Sequence, residues 1–270
     1  MWLVRIPRVI FGVAVLASSA GLIAASPAAN AASAVHYVAL GDSYSSSVGA
    51  GDYTSSSGSC DRSTNAYPQQ WADANSPASF VSVACSGATT ADVLSSQVSA
   101  LSHSTTLVSI TIGGNDAGFS TVMETCVLAP TSVCLDAVAA AEAYIADELP
   151  ASLIATLKTI RADAPKAKIV LLGYPDLYDL SQSGSCIGLS TAARTALNQG
   201  AGDLDSALAS AAATEGDTFA EVQREFAGHE ICDSDSWLHS VDIFSLSSSY
   251  HPTAAGQELG YLAVFTSAAG

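Results

Sequence analysis

Positive charge is what this chain has least of. Its 270 residues hold nine lysines and arginines against 25 aspartates and glutamates, a formal net charge of −16. Two of the nine, Arg5 and Arg8, fall in the first 34 residues, which carry no acidic residue. Without that segment seven basic residues face 25 acidic ones, a net charge of −18. A surface of that sign repels nucleic acid and anionic membranes, so neither is expected as a partner. Contact with a lipid surface would be transient and would rest on apolar groups and on neutral or zwitterionic lipids. No Gly-x-Gly-x-x-Gly and no P-loop occurs, so no nucleotide-phosphate signature is present. No Cys-x-x-Cys occurs either, which argues against a zinc site or thioredoxin-like redox chemistry. "DSDSW" (233–237) begins like a calcium loop, but Phe244 stands where the loop needs its glutamate. After the N-terminus no apolar run is long enough to span a bilayer.

What is present begins with an export pattern. Arg5 and Arg8 precede an apolar run at 9–17, and "SPAANAASA" then offers small-residue cleavage sites. Residues 1–31 are expected to be a signal peptide cut after Ala31, with Ala34 as the alternative. Residues 32–270 then form a single secreted, monomeric domain, a length suited to one α/β core. Six cysteines, Cys60, Cys85, Cys126, Cys134, Cys186 and Cys232, all lie in that region. An even count behind an export signal predicts three disulfides, and the count alone leaves 15 pairings open.

Short β-branched or apolar runs at 34–40, 79–84, 106–112, 166–174 and 217–222 read as strands buried on both faces. Helical patterns fill the gaps at 89–101, 135–163 (broken near Pro150), 190–214 and 253–268. "GLSTA" (188–192) imitates a nucleophile elbow, but no strand precedes it, and Ser190 reads as a helix cap. The alternation implies a doubly wound parallel sheet with helices on both faces. Ligands of such sheets bind beyond the carboxyl ends of the strands. Three polar, glycine-containing stretches follow the first three strands: "GDSYSS" (41–46), "CSGATT" (85–90) and "GGNDAGF" (113–119).

A serine hydrolase needs a nucleophile, a base and donors for an oxyanion. Ser43 follows Gly-Asp at the end of the first strand, and Ser45, Ser46 and Ser47 lie just beyond. Gly87 offers an unobstructed N–H and Asn115 a neutral side-chain amide. Five histidines could supply the base: His36, His103, His229, His239 and His251. His251, in "SSSYHPTAAG", precedes a proline suited to the first turn of the last helix and can reach the same sheet edge. Asp42 and Asp116 read as carboxylates that hold turns.

Four ordered blocks, "GDSYS" (41–45), "SGAT" (86–89), "GGND" (113–116) and "HPTAAG" (251–256), resemble the SGNH (GDSL-type) hydrolases over residues 36–262. "VALGDSYSSSVGAG" and "ACSGATT" resemble in particular its secreted, three-disulfide actinobacterial lipases, esterases and phospholipases A1. The resemblance implies a three-layer α/β/α sandwich on a five-stranded parallel sheet, with no metal and no cofactor. It implies Ser43 as nucleophile, His251 as general base, and an oxyanion hole from the Ser43 N–H, the Gly87 N–H and the Asn115 amide. It also implies the pairs Cys60–Cys85, Cys126–Cys134 and Cys186–Cys232. The expected activity is hydrolysis of lipid or acyl esters. A polysaccharide or xylan acetylesterase and a non-catalytic surface-binding domain are the alternatives.

Two departures stand out. Many members carry aspartate three residues before the histidine; here that residue is Ser248. A backbone carbonyl, of Ser248 or Ser249, is expected to orient the imidazole instead, with Asp242 as the competing acid. Ser47 stands where close relatives usually have glycine, so a positive φ there would strain the backbone.

Overall fold

The strands that carry the site are apolar because both their faces are covered. In chain order the elements are β1 (His36–Gly41), α1 (Ser43–Ser46), α2 (Tyr67–Asn75), β2 (Ser79–Ser82), α3 (Thr90–Asp92), β3 (Leu107–Thr111), α4 (Phe119–Leu128), α5 (Thr131–Asp147), α6 (Leu149–Asp163), β4 (Lys168–Leu172), α7 (Thr191–Glu215), β5 (Thr218–Ala220), α8 (Gln223–Phe226) and α9 (Leu262–Ala269). A π-helical turn, Val93–Gln97, extends α3, and another, Gly256–Tyr261, leads into α9. This computed structural model describes residues 1–5, 7, 12, 34–182, 186, 188–242 and 246–270. The expected signal peptide lies almost wholly outside the described residues. Ala34–Gly270 forms one unit and Met1–Ser33 another.

The five strands form one sheet of order β2-β1-β3-β4-β5, and every pairing is parallel. Right-handed crossovers fix the layers. The chain steps from β1 outward to β2, then returns past β1 to β3 and continues to β5. That reversal places α2 on one face and α3, α6 and α7 on the other. The contacts agree: α2 packs on α9, while α6 packs on α5 and α7. On the first face Tyr37 of β1 meets Trp71 and Phe265, with ring centroids 5.3 and 5.4 Å away. On the second face Leu149, Leu153, Leu157 and Ile160 recur at helical spacing along α6 and are all fully buried. The order also reverses between β1 and β3, and such a switch point opens a crevice beyond the strand ends.

Some expectations need correction. β2 is an edge strand, with Ser79 and Val81 exposed, so it is not covered on both faces. The helix expected at 135–163 is two helices that part at Glu148, and Pro150 sits in the first turn of α6, where no N–H is needed. The helices at 67–75 and 119–128 are additional to those the pattern indicates. Ser190 caps α7, its Oγ accepting the Ala193 N–H at 3.3 Å. The structure holds the disulfides Cys60–Cys85, Cys126–Cys134 and Cys186–Cys232.

Candidate active site

Gly41 ends β1 where the strand closes on β3. Its φ is +122°, and a Cβ there would lie 2.5 Å from the Thr111 carbonyl oxygen, so only glycine fits. Asp42 then caps α1, its carboxylate accepting the Tyr44 N–H at 3.0 Å. The same carboxylate accepts the Thr111 hydroxyl at 2.7 Å and the Tyr174 hydroxyl. Burial pushes its carboxyl up to about 6, against the pull of these hydrogen bonds. Asp42 thus holds the turn, and Ser43 becomes the first residue of a helix, where the backbone N–H has no intrahelical partner.

The Ser43 Oγ lies 2.8 Å from His251 Nε2. His251 Nδ1 lies 3.0 Å from the Ser249 carbonyl oxygen. A carbonyl only accepts, so Nδ1 carries the proton and Nε2 is left as the acceptor for the serine hydroxyl. The Ser248 carbonyl takes the His251 backbone N–H instead, at 3.2 Å. The loop is pinned by backbone bonds to the 237–239 segment: His239 N–H to the His251 oxygen at 3.0 Å and Thr253 N–H to the Trp237 oxygen at 2.8 Å. Tyr44 donates to the Tyr250 oxygen at 2.7 Å, which ties the loop to α1. Burial pushes the imidazole down to about 4, the Ser249 carbonyl opposing and nearby His239 adding to the fall.

The second loop approaches from β2. The Cys85 N–H donates to the Gly41 oxygen at 3.0 Å, and the Cys60–Cys85 disulfide anchors the turn. Gly87 has φ +78° and is exposed. Nothing stands within 4 Å of where its Cβ would be, so its conformation and not its space calls for glycine. Asn115 follows β3 and donates its amide to the Ala88 oxygen at 3.0 Å. One amide hydrogen is thereby used to hold Asn115 against the Gly87 turn, and the other remains. Asp116 fastens the same two loops, accepting the Thr90 N–H and hydroxyl.

Ser43 and Asn115 open on an apolar cavity of about 730 Å³, its open mouth included. Its walls are Phe119 and Val122 of α4, Val138 and Ile145 of α5, and Leu197 and Leu204 of α7. An apolar lining of this kind suits an acyl chain.

The other serines of the first loop are structural. Ser45 Oγ bonds the Thr111 hydroxyl at 2.8 Å and accepts its N–H at 3.1 Å. Ser46 donates to the Ser43 oxygen at 3.4 Å. Ser47 ends α1 at φ +70°, fully buried, its N–H returning to the Ser43 oxygen at 2.8 Å. The other histidines have partners other than Ser43 or lie on the surface. His36 bonds Ser79 at 2.8 Å, His103 is exposed, and His229 stacks on Trp237 with centroids 3.7 Å apart. His239 Nε2 donates to the Gly49 oxygen at 2.9 Å. Sequence reasoning missed Gln97, whose buried amide bridges the Gly41 N–H and C=O at 2.7 and 2.9 Å. It also missed Thr111 and Tyr174. A buried glutamine at an apolar helix position and a threonine ending an apolar strand were the available signals.

A serine and a neutral histidine, in hydrogen-bond contact at the switch point of a parallel sheet, define a site of the serine hydrolase class. The chain belongs to the GDSL-like Lipase/Acylhydrolase family, whose model matches residues 39–259. It is 53% identical over 257 residues to Lipase 1 of Streptomyces coelicolor, covering 94% of this chain and 95% of that one. The solved structure of phospholipase A1 from Streptomyces albidoflavus NA297 is 53% identical and superposes with a TM-score of 0.85 over 87% of this chain and 100% of its own. The extracellular lipase from Streptomyces rimosus is 52% identical, with a TM-score of 0.84 and the same coverage. The protein is accordingly a serine ester hydrolase on a five-stranded α/β fold.

Proposed function

We propose that the protein is exported and cleaves acyl esters of neutral or zwitterionic lipids, acting as a monomer without metal or cofactor. The observation that carries this is the 2.8 Å contact between Ser43 Oγ and His251 Nε2 at the mouth of an apolar cavity. Ser43 Oγ attacks the ester carbonyl carbon while its proton passes to His251 Nε2. The Ser43 and Gly87 N–H groups and the Asn115 amide receive the oxygen that becomes negative. The carbon–oxygen bond to the alcohol breaks, and the alcohol leaves with the proton from His251. Water then attacks the acyl-serine, His251 taking its proton and returning it to Ser43 as the acid departs. The Ser249 carbonyl keeps the imidazole in the tautomer this cycle needs.

The substrate class is supported by the lipase and phospholipase A1 names of the relatives and by the apolar pocket. An acetyl group would touch little of the apolar lining that α4, α5 and α7 supply, which favours longer acyl chains over sugar acetates. Export is supported by the basic and then apolar N-terminus, by cleavage expected after Ala31, and by three disulfides. Hydrolysis of p-nitrophenyl esters from acetate to laurate, in wild type and Ser43→Ala, tests the reading. Wild type turns over the longer esters, and Ser43→Ala lowers kcat by ~10⁴-fold or more. Failure of wild type on every ester, or Ser43→Ala at wild-type rates, would overturn it.

A further inference from the structure

Helices α4 and α5 meet at a corner closed by the Cys126–Cys134 disulfide. Leu128 is 75% exposed there, Val133 45% and Val127 39%. A lone exposed leucine is ordinary. Here three aliphatic side chains share one cross-linked corner, and the stretch "TCVLAPTSVCL" (125–135) has no charge in a chain of net charge −16. The corner also adjoins the site. The same two helices supply Phe119, Val122 and Val138 to the cavity beside Ser43. A second cleft runs from Val127, Ala129 and Thr131 at the corner to Tyr178 and Tyr250, and Tyr250 precedes His251. The aliphatic corner therefore joins the two helices that wall the cavity beside Ser43 and lines one end of the second cleft.

We propose that this corner is the surface by which the protein adsorbs to neutral or zwitterionic lipid. Leu128, Val127 and Val133 enter the acyl layer, and an ester drawn from it passes along α4 and α5 into the cavity. The inference rests on the ester-hydrolase reading for its purpose but not for its measurement. The partner follows from charge: the stretch 125–135 is uncharged, and the residues that flank it, Glu124 and Asp136, are acidic like the remainder of the molecule and repel an anionic surface. Apolar burial drives the contact, and the disulfide keeps the corner folded while its side chains leave water.

Vesicle co-sedimentation tests it, carried out in a Ser43→Ala background so that no lipid is consumed. Affinity for dioleoylphosphatidylcholine vesicles is expected to fall roughly ten- to a hundredfold in Leu128→Ser, the factor for one leucine that no longer leaves water. Leu128→Phe retains binding. With Ser43 intact, Leu128→Ser raises KM on the vesicles, keeps kcat, and leaves kcat/KM on soluble p-nitrophenyl butyrate unchanged. Dioleoylphosphatidylglycerol vesicles bind more weakly than phosphatidylcholine at low salt. Undiminished binding by both Leu128→Ser and Val133→Ser overturns the proposal. So does an equal loss on the soluble ester, or tighter binding to the anionic vesicles. If wild type cleaves no ester, the hydrolase reading falls, while the Ser43→Ala vesicle affinities still decide the adsorption proposal on their own.

Discussion

Gly200 offers a direct test of the acyl pocket. It lies within α7 and lines the cavity, and a Cβ built on it meets only Val138 Cγ1, at 3.9 Å. The Cβ of Gly200→Leu therefore fits without a clash, and the leucine adds four carbons at a position that lines the cavity. Replacing a helix-interior glycine favours the helix by about 0.8 kcal/mol, so the variant should fold at least as well as wild type. Each methylene denied burial costs about 0.8 kcal/mol, a factor of roughly four in binding. If the leucine displaces four methylenes of a bound chain, the loss is about 3 kcal/mol, or roughly 200-fold in kcat/KM. The assay is a ladder of p-nitrophenyl esters. Butyrate should be cleaved as by wild type, decanoate should fall by that factor, and the preferred chain length should shorten. An equal loss on every ester would mean that the substitution disturbs the Ser43–His251 pair. No loss on any ester would mean that the acyl chain lies elsewhere.

Two further outcomes follow from the histidine. His251 is held at about 4, so it stays neutral through pH 5 and 6, and initial-rate kcat/KM should retain activity there, with the His251 acid limb centred near 4. Asp42, pushed up to about 6, can add a limb at that pH by loosening the Ser43 turn, so the limb near 4 is the mark of His251. Loss of all activity below an ordinary histidine value of about 6.5, with no residual limb near 4, would contradict that environment. Stability runs with the opposite burden. The unfolded chain takes up this proton at higher pH than the folded one, so the contribution is present above the unfolded value and is lost as pH falls toward 4. Rates should therefore be read before slow acid unfolding sets in. Asp242→Asn should retain nearly full kcat/KM, because the Ser249 carbonyl faces Nδ1 at 3.0 Å; a fall of ~10⁴-fold, as when a triad aspartate is lost, would show that Asp242 orients the ring.

Those parts of the fold that repeat a simple physical pattern were legible in the sequence. β1, β3 and β4 are apolar runs ended by glycine or polar residues, and their spacing implies crossovers. The convergence of the three loops followed from the geometry of a parallel sheet. α2 escaped notice because Tyr67–Asn75 mixes Trp71 with polar residues and draws its burial from contact with α9. α4 escaped because it starts at Gly118 in the left-handed region, without a side-chain cap. The acyl pocket escaped for the same kind of reason. Its walls come from α4, α5 and α7, and which of their faces turn toward Ser43 is decided by packing and not by periodicity. Ser47 was visible as an oddity, and its φ of +70° shows why glycine would suit the position.

The missing acid before His251 also has an electrostatic side. Asp42, one residue from Ser43, is already pushed up to about 6 by burial. A second carboxylate beside His251 would add another ion to the same poorly solvated crevice, at a further desolvation cost. A carbonyl dipole fixes the tautomer without adding net charge. What it gives up is stabilisation of the imidazolium, which agrees with the fall of His251 to about 4 where a paired anion would hold it higher. A base that weak is less driven to take the serine proton. The proposed mechanism then leans more heavily on its oxyanion donors, Gly87 and Asn115, than a full triad would. Asn115 is the one of these held by its own hydrogen bond, to the Ala88 carbonyl, so its amide meets the developing charge with little reorganisation left to make.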